Sequence, residues 1–287
     1  MVKYLLIGDT HSTSIMEAIQ KVYKHTQIDS VISTGDFDDP TLVTGDMVKI
    51  MKSMDSYFVV GNHDLSYAIE EGKIVSGTSR ETFYKKHPEI VDEYCERTTR
   101  MKYYDLAMGQ SEIVSGAIKD QWDKTPTAKK LVKAAWENGI THDQGNCKKG
   151  RFGKILQTYM GKMKALIVHG GLAGSCGKYS DEDKNRVWYR QESIQDFEEN
   201  FKKMGDTKIM IRGHDHDAQY IRKDPQTGTV SYDIDFNSPE TTTSFFRLFE
   251  HRQHIVNPGA LCDGQYAIID TAVDGETSPI LSFHKFV

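Results

Sequence analysis

The chain has 287 residues, 38% of them apolar and 27% charged, with a formal net charge of −5. That length supplies core enough for one large domain or two small ones, and the mild acidity gives no general pull toward nucleic acid or an anionic membrane. No run is long and apolar enough to span a bilayer, and the four cysteines, Cys95, Cys147, Cys176 and Cys262, are far apart, as expected of reduced thiols in a cytoplasmic protein.

A strand is expected from about Lys3, leaving no room for a signal peptide. Its apolar run, Tyr4-Leu5-Leu6-Ile7, leads into Asp9-Thr10-His11. Ile15, Ala18, Ile19, Val22 and Tyr23 then recur at helical spacing, and Ser14 and Glu17 have the spacing of a capping box. A second strand runs to Gly35-Asp36, and a helix follows with Leu42, Met47, Ile50, Met51 and Met54. A third strand ends at Gly61-Asn62-His63-Asp64. This βαβαβ order predicts a parallel sheet with right-handed crossovers.

Residues 66–164 interrupt the pattern with a charged, mostly helical stretch. Thr125-Pro126 is a helix entry, Asn138-Gly139 an exit, and Leu131, Val132, Ala135 and Trp136 form the apolar stripe between them. Such an insertion is either a cap that selects substrate or a surface used in oligomerisation. Thr141-His142-Asp143 with Cys147 matches no metal-site spacing and reads as loop.

The core is expected to resume at Lys164, with Ala165-Leu166-Ile167-Val168 leading into His169-Gly170-Gly171. A helix from about Ser193 places Ile194, Phe197, Phe201 and Met204 on one face, and a further strand ends at Gly213-His214-Asp215-His216. The remainder is β-rich, with a turn at Asp224-Pro225 to Gly228. Residues 265–270 and 280–286 read as strands closing a second sheet. The expected fold is α/β: two facing mixed sheets with helices outside, in a single domain that carries the insertion.

Five blocks of Asp, Asn and His thus end five strands. Ligands of open α/β sheets sit beyond the carboxyl ends of the strands, so the blocks converge on one site. Asp9 and His11 can face one ion. The two oxygens of Asp36 can bridge two cations, and Asn62 offers a neutral amide oxygen. His214 and His216 present one imidazole to each ion, and His169 completes the set. Imidazole, carboxylate and amide without thiolate suit manganese, iron, zinc, nickel or cobalt as divalent ions, manganese first.

These blocks resemble those of the calcineurin-like metallophosphoesterase superfamily, with Asn257-Pro258-Gly259 similar to a turn late in its phosphodiesterase branch. The resemblance covers Val2 to about Asp64 and Lys164 onward, and leaves out the insertion. It implies a four-layer αββα sandwich. It also implies one metal held by Asp9, His11, Asp36 and His216, and a second by Asp36, Asn62, His169 and His214. His63 is then no ligand but the general acid or a phosphate-oxygen donor. The implied reaction is hydrolysis of a phosphodiester or phosphomonoester. Two cations about 3.5–4 Å apart activate a hydroxide between them, and His63 protonates the leaving group. Asp39 is the first candidate to orient His63, since it stands three residues after Asp36 as the corresponding acid does in the serine/threonine phosphatase branch, ahead of Asp64 and Asp38.

The protein-phosphatase branch has Arg where this chain has Pro40, which removes a clamp for a phosphate dianion. Arg190, after Val187-Trp188-Tyr189, either supplies that clamp or is a solvated Arg beside a buried Trp. His169-Gly170-Gly171-Leu172 nonetheless resembles the protein-phosphatase branch, so a serine/threonine-type phosphatase stays open, as does a nucleotide polyphosphate hydrolase. A scaffold of this fold would not need all eight side chains, and a DNA nuclease would want a basic stripe that is absent here. The expected partner is a small phosphoester substrate. Cys262, just past the Asn257 turn, reads as a plain buried thiol near the site.

Overall fold

The computed structural model describes residues 2–11, 13–38, 45–64, 132, 150–175, 187–232, 244–271 and 278–286. Strand β1 (Lys3–Ile7) sends Tyr4 and Leu6 into one apolar cluster and Leu5 and Ile7 into another. A strand buried on both faces reads as an unbroken apolar run, which is why the alternation of a half-exposed strand is missing. Helix α1 (Ile15–Tyr23) follows, and Ser14 caps it by accepting from Glu17 N–H at 3.2 Å. Ile15, Ala18, Ile19 and Val22 are its buried face, whereas Tyr23 is 43% exposed. Strand β2 (Ser30–Ser33), helix α2 (Met47–Ser53) and strand β3 (Asp55–Val59) complete the unit, with β1, β2 and β3 parallel.

Two strands lie inside the span expected to be insertion. Strand β4 (Gly150–Gly153) pairs parallel with β3, and β5 (Leu156–Met160) forms a hairpin with β6 (Met163–Ile167). The core therefore resumes at Gly150 and not at Lys164. The sequence Gly-Arg-Phe-Gly carries no strand signal, and its pairing is made possible by glycine: a Cβ at Gly150 would stand 2.3 Å from the Met51 side chain. Of the expected helical stripe at 131–136, Val132 alone is described. It is helical and buried against the α1 and α2 cluster.

Helix α3 (Ile194–Met204) has a full capping box between Ser193 and Asp196. Phe197, Phe201 and Met204 are buried as expected, but Ile194, at the first turn, is 49% exposed. Then come β7 (Ile209–Ile211), β8 (Ala218–Lys223), β9 (Val230–Tyr232), β10 (Ser244–Arg247), β11 (Gln253–Pro258), β12 (Gln265–Asp270) and β13 (Ile280–Lys285). One sheet has the order β10-β13-β12-β1-β2-β3-β4 and the other β5-β6-β7-β11-β8-β9. The expectation that 265–270 and 280–286 close the second sheet is thus corrected. After β11 the chain turns at Gly259, bridges Gly8 through Ala260, and pairs β12 antiparallel to the open edge of β1.

Both sheets are mixed. Tyr4, Leu6, Ile32, Tyr57 and Val59 of the first meet Ala165, Ile167, Ile209, Ile211 and Val256 of the second in the central cluster. Leu5, Val31 and Phe58 face α1 and α2, while Leu166, Met210 and Ile255 face α3. These three apolar interfaces between helix, sheet, sheet and helix are the αββα layering expected. Among the described residues, no helix is long and apolar enough to cross a membrane.

Candidate metal centre

Strands β1, β2 and β3 are parallel in one sheet, and β6, β7 and β11 are parallel in the other. Their carboxyl ends carry Asp9 and His11, Asp36, Asn62 and His63, His169, and His214 with His216. The backbone there is bent in an unusual way. Among the described residues, the non-glycine residues with positive φ are Asp9 (44°), His11 (40°), Asp36 (57°), Asp38 (56°), His214 (75°) and His216 (62°). Such conformations cost energy outside glycine and collect at functional sites. They come here in pairs two residues apart, each pair holding two donor side chains on one tight turn.

The turns are locked to one another. Asp64 accepts from the backbone N–H groups of Asp36 (3.0 Å), Phe37 (2.9 Å) and Gly61 (2.9 Å), tying the β2 and β3 loops together. Gly61 has no alternative: a Cβ there would lie 2.0 Å from Asp36 Oδ1. Asp9 accepts from His214 N–H at 3.0 Å, joining the two sheets across the site. Asn257 donates to Gly213 O at 3.3 Å and accepts from Gly259 N–H at 3.0 Å, bracing the β7 turn from β11.

Within this frame, two of the donor groups overlap at Asp36. Ligand-type atoms of Asp9, His11 and Asp36 lie within 4.8 Å of one another, and so do those of Asp36, His169 and His214. Asp36 belongs to both. His11 Nε2 is 2.9 Å from His216 Nε2, which lies 3.8 Å from Asp9 Oδ1. His169 Nε2 is 2.7 Å from Asn62 Oδ1 and 3.3 Å from Asp36 Oδ2. His169 Nδ1 donates to Thr34 O at 2.6 Å, which turns Nε2 toward the centre.

His63 stands beside both groups, 8% exposed, with Nε2 3.8 Å from Asp36 Oδ2 and Nδ1 2.8 Å from Asp38 Oδ1. The other oxygen of Asp38 is 2.6 Å from His11 Nδ1. One carboxylate therefore fixes two imidazoles, each with its Nε2 directed inward. Asp39, expected to hold His63, lies outside the described residues, as does Pro40.

The electrostatics call for positive charge at the centre. Burial works against ionising any of these groups. It pushes Asp9 up to about 6 despite nearby imidazoles. Asp36 and Asp38 nevertheless stay well below the usual carboxylate range, because the surrounding histidines outweigh burial. Burial lowers His169 too, but Asp36 and Asp9 reverse this and raise it to about 9. Burial and His169 hold His214 neutral. A buried carboxylate cluster that draws a proton onto His169 is one that a cation would satisfy. The oxygen and imidazole donors fit divalent ions of the first transition row.

The sequence model of the calcineurin-like phosphoesterases matches residues 2–218. The chain belongs to this family. No curated protein matches it at a significant level. Among solved structures, a metallophosphoesterase from Sphaerobacter thermophilus is similar with 16% identity and a TM-score of 0.53, covering 100% of this chain and 88% of that one. A hypothetical protein from Pyrococcus horikoshii OT3 has 10% identity and a TM-score of 0.50, covering 99% and 88%. At such identities the likeness is one of fold.

Seen as a calcineurin-like phosphoesterase, the chain brings together Asp9, His11, Asp36, Asn62, His63, His169, His214 and His216, all expected from sequence. Arg190 is half-buried, and its charge is among those that lower His214 and Asp215. Sequence reasoning missed Arg212, the residue before Gly213. It is fully buried, donates from Nε to Gly170 O at 2.6 Å and pairs with Asp215. Asp215 also accepts from Gln191 N–H at 3.4 Å. The pair thereby joins the His169 turn, the His214 turn and the segment carrying Arg190. An Arg closing an otherwise apolar strand, three residues before an Asp, was the available signal. Arg212→Met should cost about 3–5 kcal/mol, since it strands Asp215 as a buried charge. Urea unfolding would measure this, and a loss under about 1 kcal/mol would show that the pair is not integral to the site.

Proposed function

We propose that this protein is a two-metal phosphoester hydrolase acting on phosphodiesters or phosphomonoesters. The observation that carries the reading is Asp36, shared by two groups of donors at the meeting point of both sheets. In this reading Asp9, His11, Asp36 and His216 hold one divalent ion, and Asp36, Asn62, His169 and His214 the other. Bound there, the ions supply an activated water and neutralise charge at phosphorus. The protein's own residues do the rest. Asp38 holds His63 by Nδ1, and His63 Nε2 delivers a proton to the leaving oxygen. Asp38 serves as the orienting acid in this reading because it contacts His63 Nδ1 at 2.8 Å, while Asp39 lies outside the described residues. Arg190 binds a non-reacting phosphate oxygen, a role supported by its half-buried place on the segment that Gln191 ties to Asp215 beside His214. A cytoplasmic setting is supported by the separated cysteines and by the free thiol of Cys262.

Metal-stripped protein, reloaded in turn with Mn²⁺, Fe²⁺, Zn²⁺, Co²⁺ or Ni²⁺, should hydrolyse an aryl phosphodiester or monoester and lose that activity again to a chelator. Close to two ions should bind per chain. A protein that binds two ions yet is inert toward the whole panel would be a metal-holding scaffold.

A further inference from the structure

We infer that Cys262 supplies a sulfur ligand to the ion held by His11 and His216, making that half of the centre selective for zinc, ferrous iron or cobalt over manganese. The inference rests on the metal-centre reading above and goes beyond its oxygen and nitrogen donors. Cys262 Sγ and the ligand nitrogens of His11 and His216 lie within 4.8 Å of one another. Sulfur and nitrogen donors on one ion stand about 3–4.3 Å apart, depending on the angle, given metal bonds of about 2.3 and 2.0 Å, and Cys262 would be a fifth protein donor beside Asp9, His11, Asp36 and His216. A χ1 adjustment at this half-buried side chain can set the final metal–sulfur distance.

The thiol's position follows from the frame of the site. After β11, Ala260 N–H donates to His216 O at 3.1 Å and Leu261 N–H to Gly8 O at 2.8 Å. Cys262 N–H then reaches Asp9 O at 3.5 Å. The segment is therefore stitched to both turns whose imidazoles face the thiol. A short 3-10 turn, Leu261–Asp263, then ends at Gly264 with φ 77°. Leu261 is 2% exposed in the α1 cluster, whereas Cys262 belongs to none of the apolar clusters. A thiol kept for packing would sit where Leu261 does. When the metal–sulfur bond forms, the thiol proton passes to solvent. Thiolate favours softer ions, which shifts the preference that the carboxylates and imidazoles alone would set.

The test is cobalt titration of the full-length wild type and of Cys262→Ser, read by near-ultraviolet absorbance and elemental analysis. A thiolate-to-cobalt charge-transfer band is expected in the wild type and absent in the variant, with two ions bound by both. In zinc–manganese competition, the variant should lose at least about tenfold in zinc preference. Two bound cobalt ions without the band would overturn the inference and leave the metal centre standing. A band that persists in Cys262→Ser would assign the sulfur to another cysteine and overturn it as well. No bound cobalt in either protein would overturn the metal-centre reading and this one with it.

Discussion

Asp36→Asn should leave the fold intact, reduce bound metal from two ions to about one per chain and lower turnover by about 10³-fold or more. The substitution isolates charge from shape. Asn tolerates the left-handed backbone that Asp36 adopts at φ 57°. Its amide oxygen can still accept from His63 N–H, which Asp36 Oδ1 receives at 3.0 Å. What disappears is the second anionic oxygen, the one 3.3 Å from His169 and 3.8 Å from His63. An amide offers one good acceptor, so it can serve one ion and not two. Circular dichroism should match the wild type, while elemental analysis and phosphoesterase assay should not. A variant that keeps two ions would remove Asp36 from the bridging position.

Much of this centre can be read from sequence because parallel strands gather their carboxyl ends on one edge. Once 3–7, 30–33 and 55–59 are read as strands, the residues just beyond them must be neighbours. Less legible were the features set by backbone angles or by long-range topology. Spacing from Asp36 favoured Asp39, which lies outside the described residues, whereas the acid described against His63 is Asp38, on a left-handed turn that spacing alone does not reveal. The Gly150–Gly153 strand carries no periodic signal, since its place depends on a missing Cβ against Met51. Which sheet 265–270 joins is decided by the open edge of β1, a fact about the assembled fold and not about that segment. Arg212 was hidden because a buried ion pair looks, in one dimension, like an apolar strand ended by a surface charge.

His63→Ala separates ligand from acid. The variant should keep close to two ions and lose about 10²–10⁴-fold in turnover, the usual worth of a positioned proton donor. The loss should depend on the leaving group. An aryl oxygen departs without help, so activity on an aryl ester should fall least. An alkyl oxygen needs the proton at the transition state and should show the full effect. Asp38→Asn should mimic this pattern more weakly, by about 10–100-fold, because it loosens the imidazole without removing it. It should also weaken metal binding, since Asp38 holds His11 at 2.6 Å as well as His63 at 2.8 Å. In the double variant, the catalytic losses should be less than additive, because both changes act on one proton. Equal losses on aryl and alkyl esters would remove the acid role from His63 and leave it a phosphate-oxygen donor. Loss of a metal ion in His63→Ala would instead make it a ligand, and would force a new division of the eight side chains between the two ions.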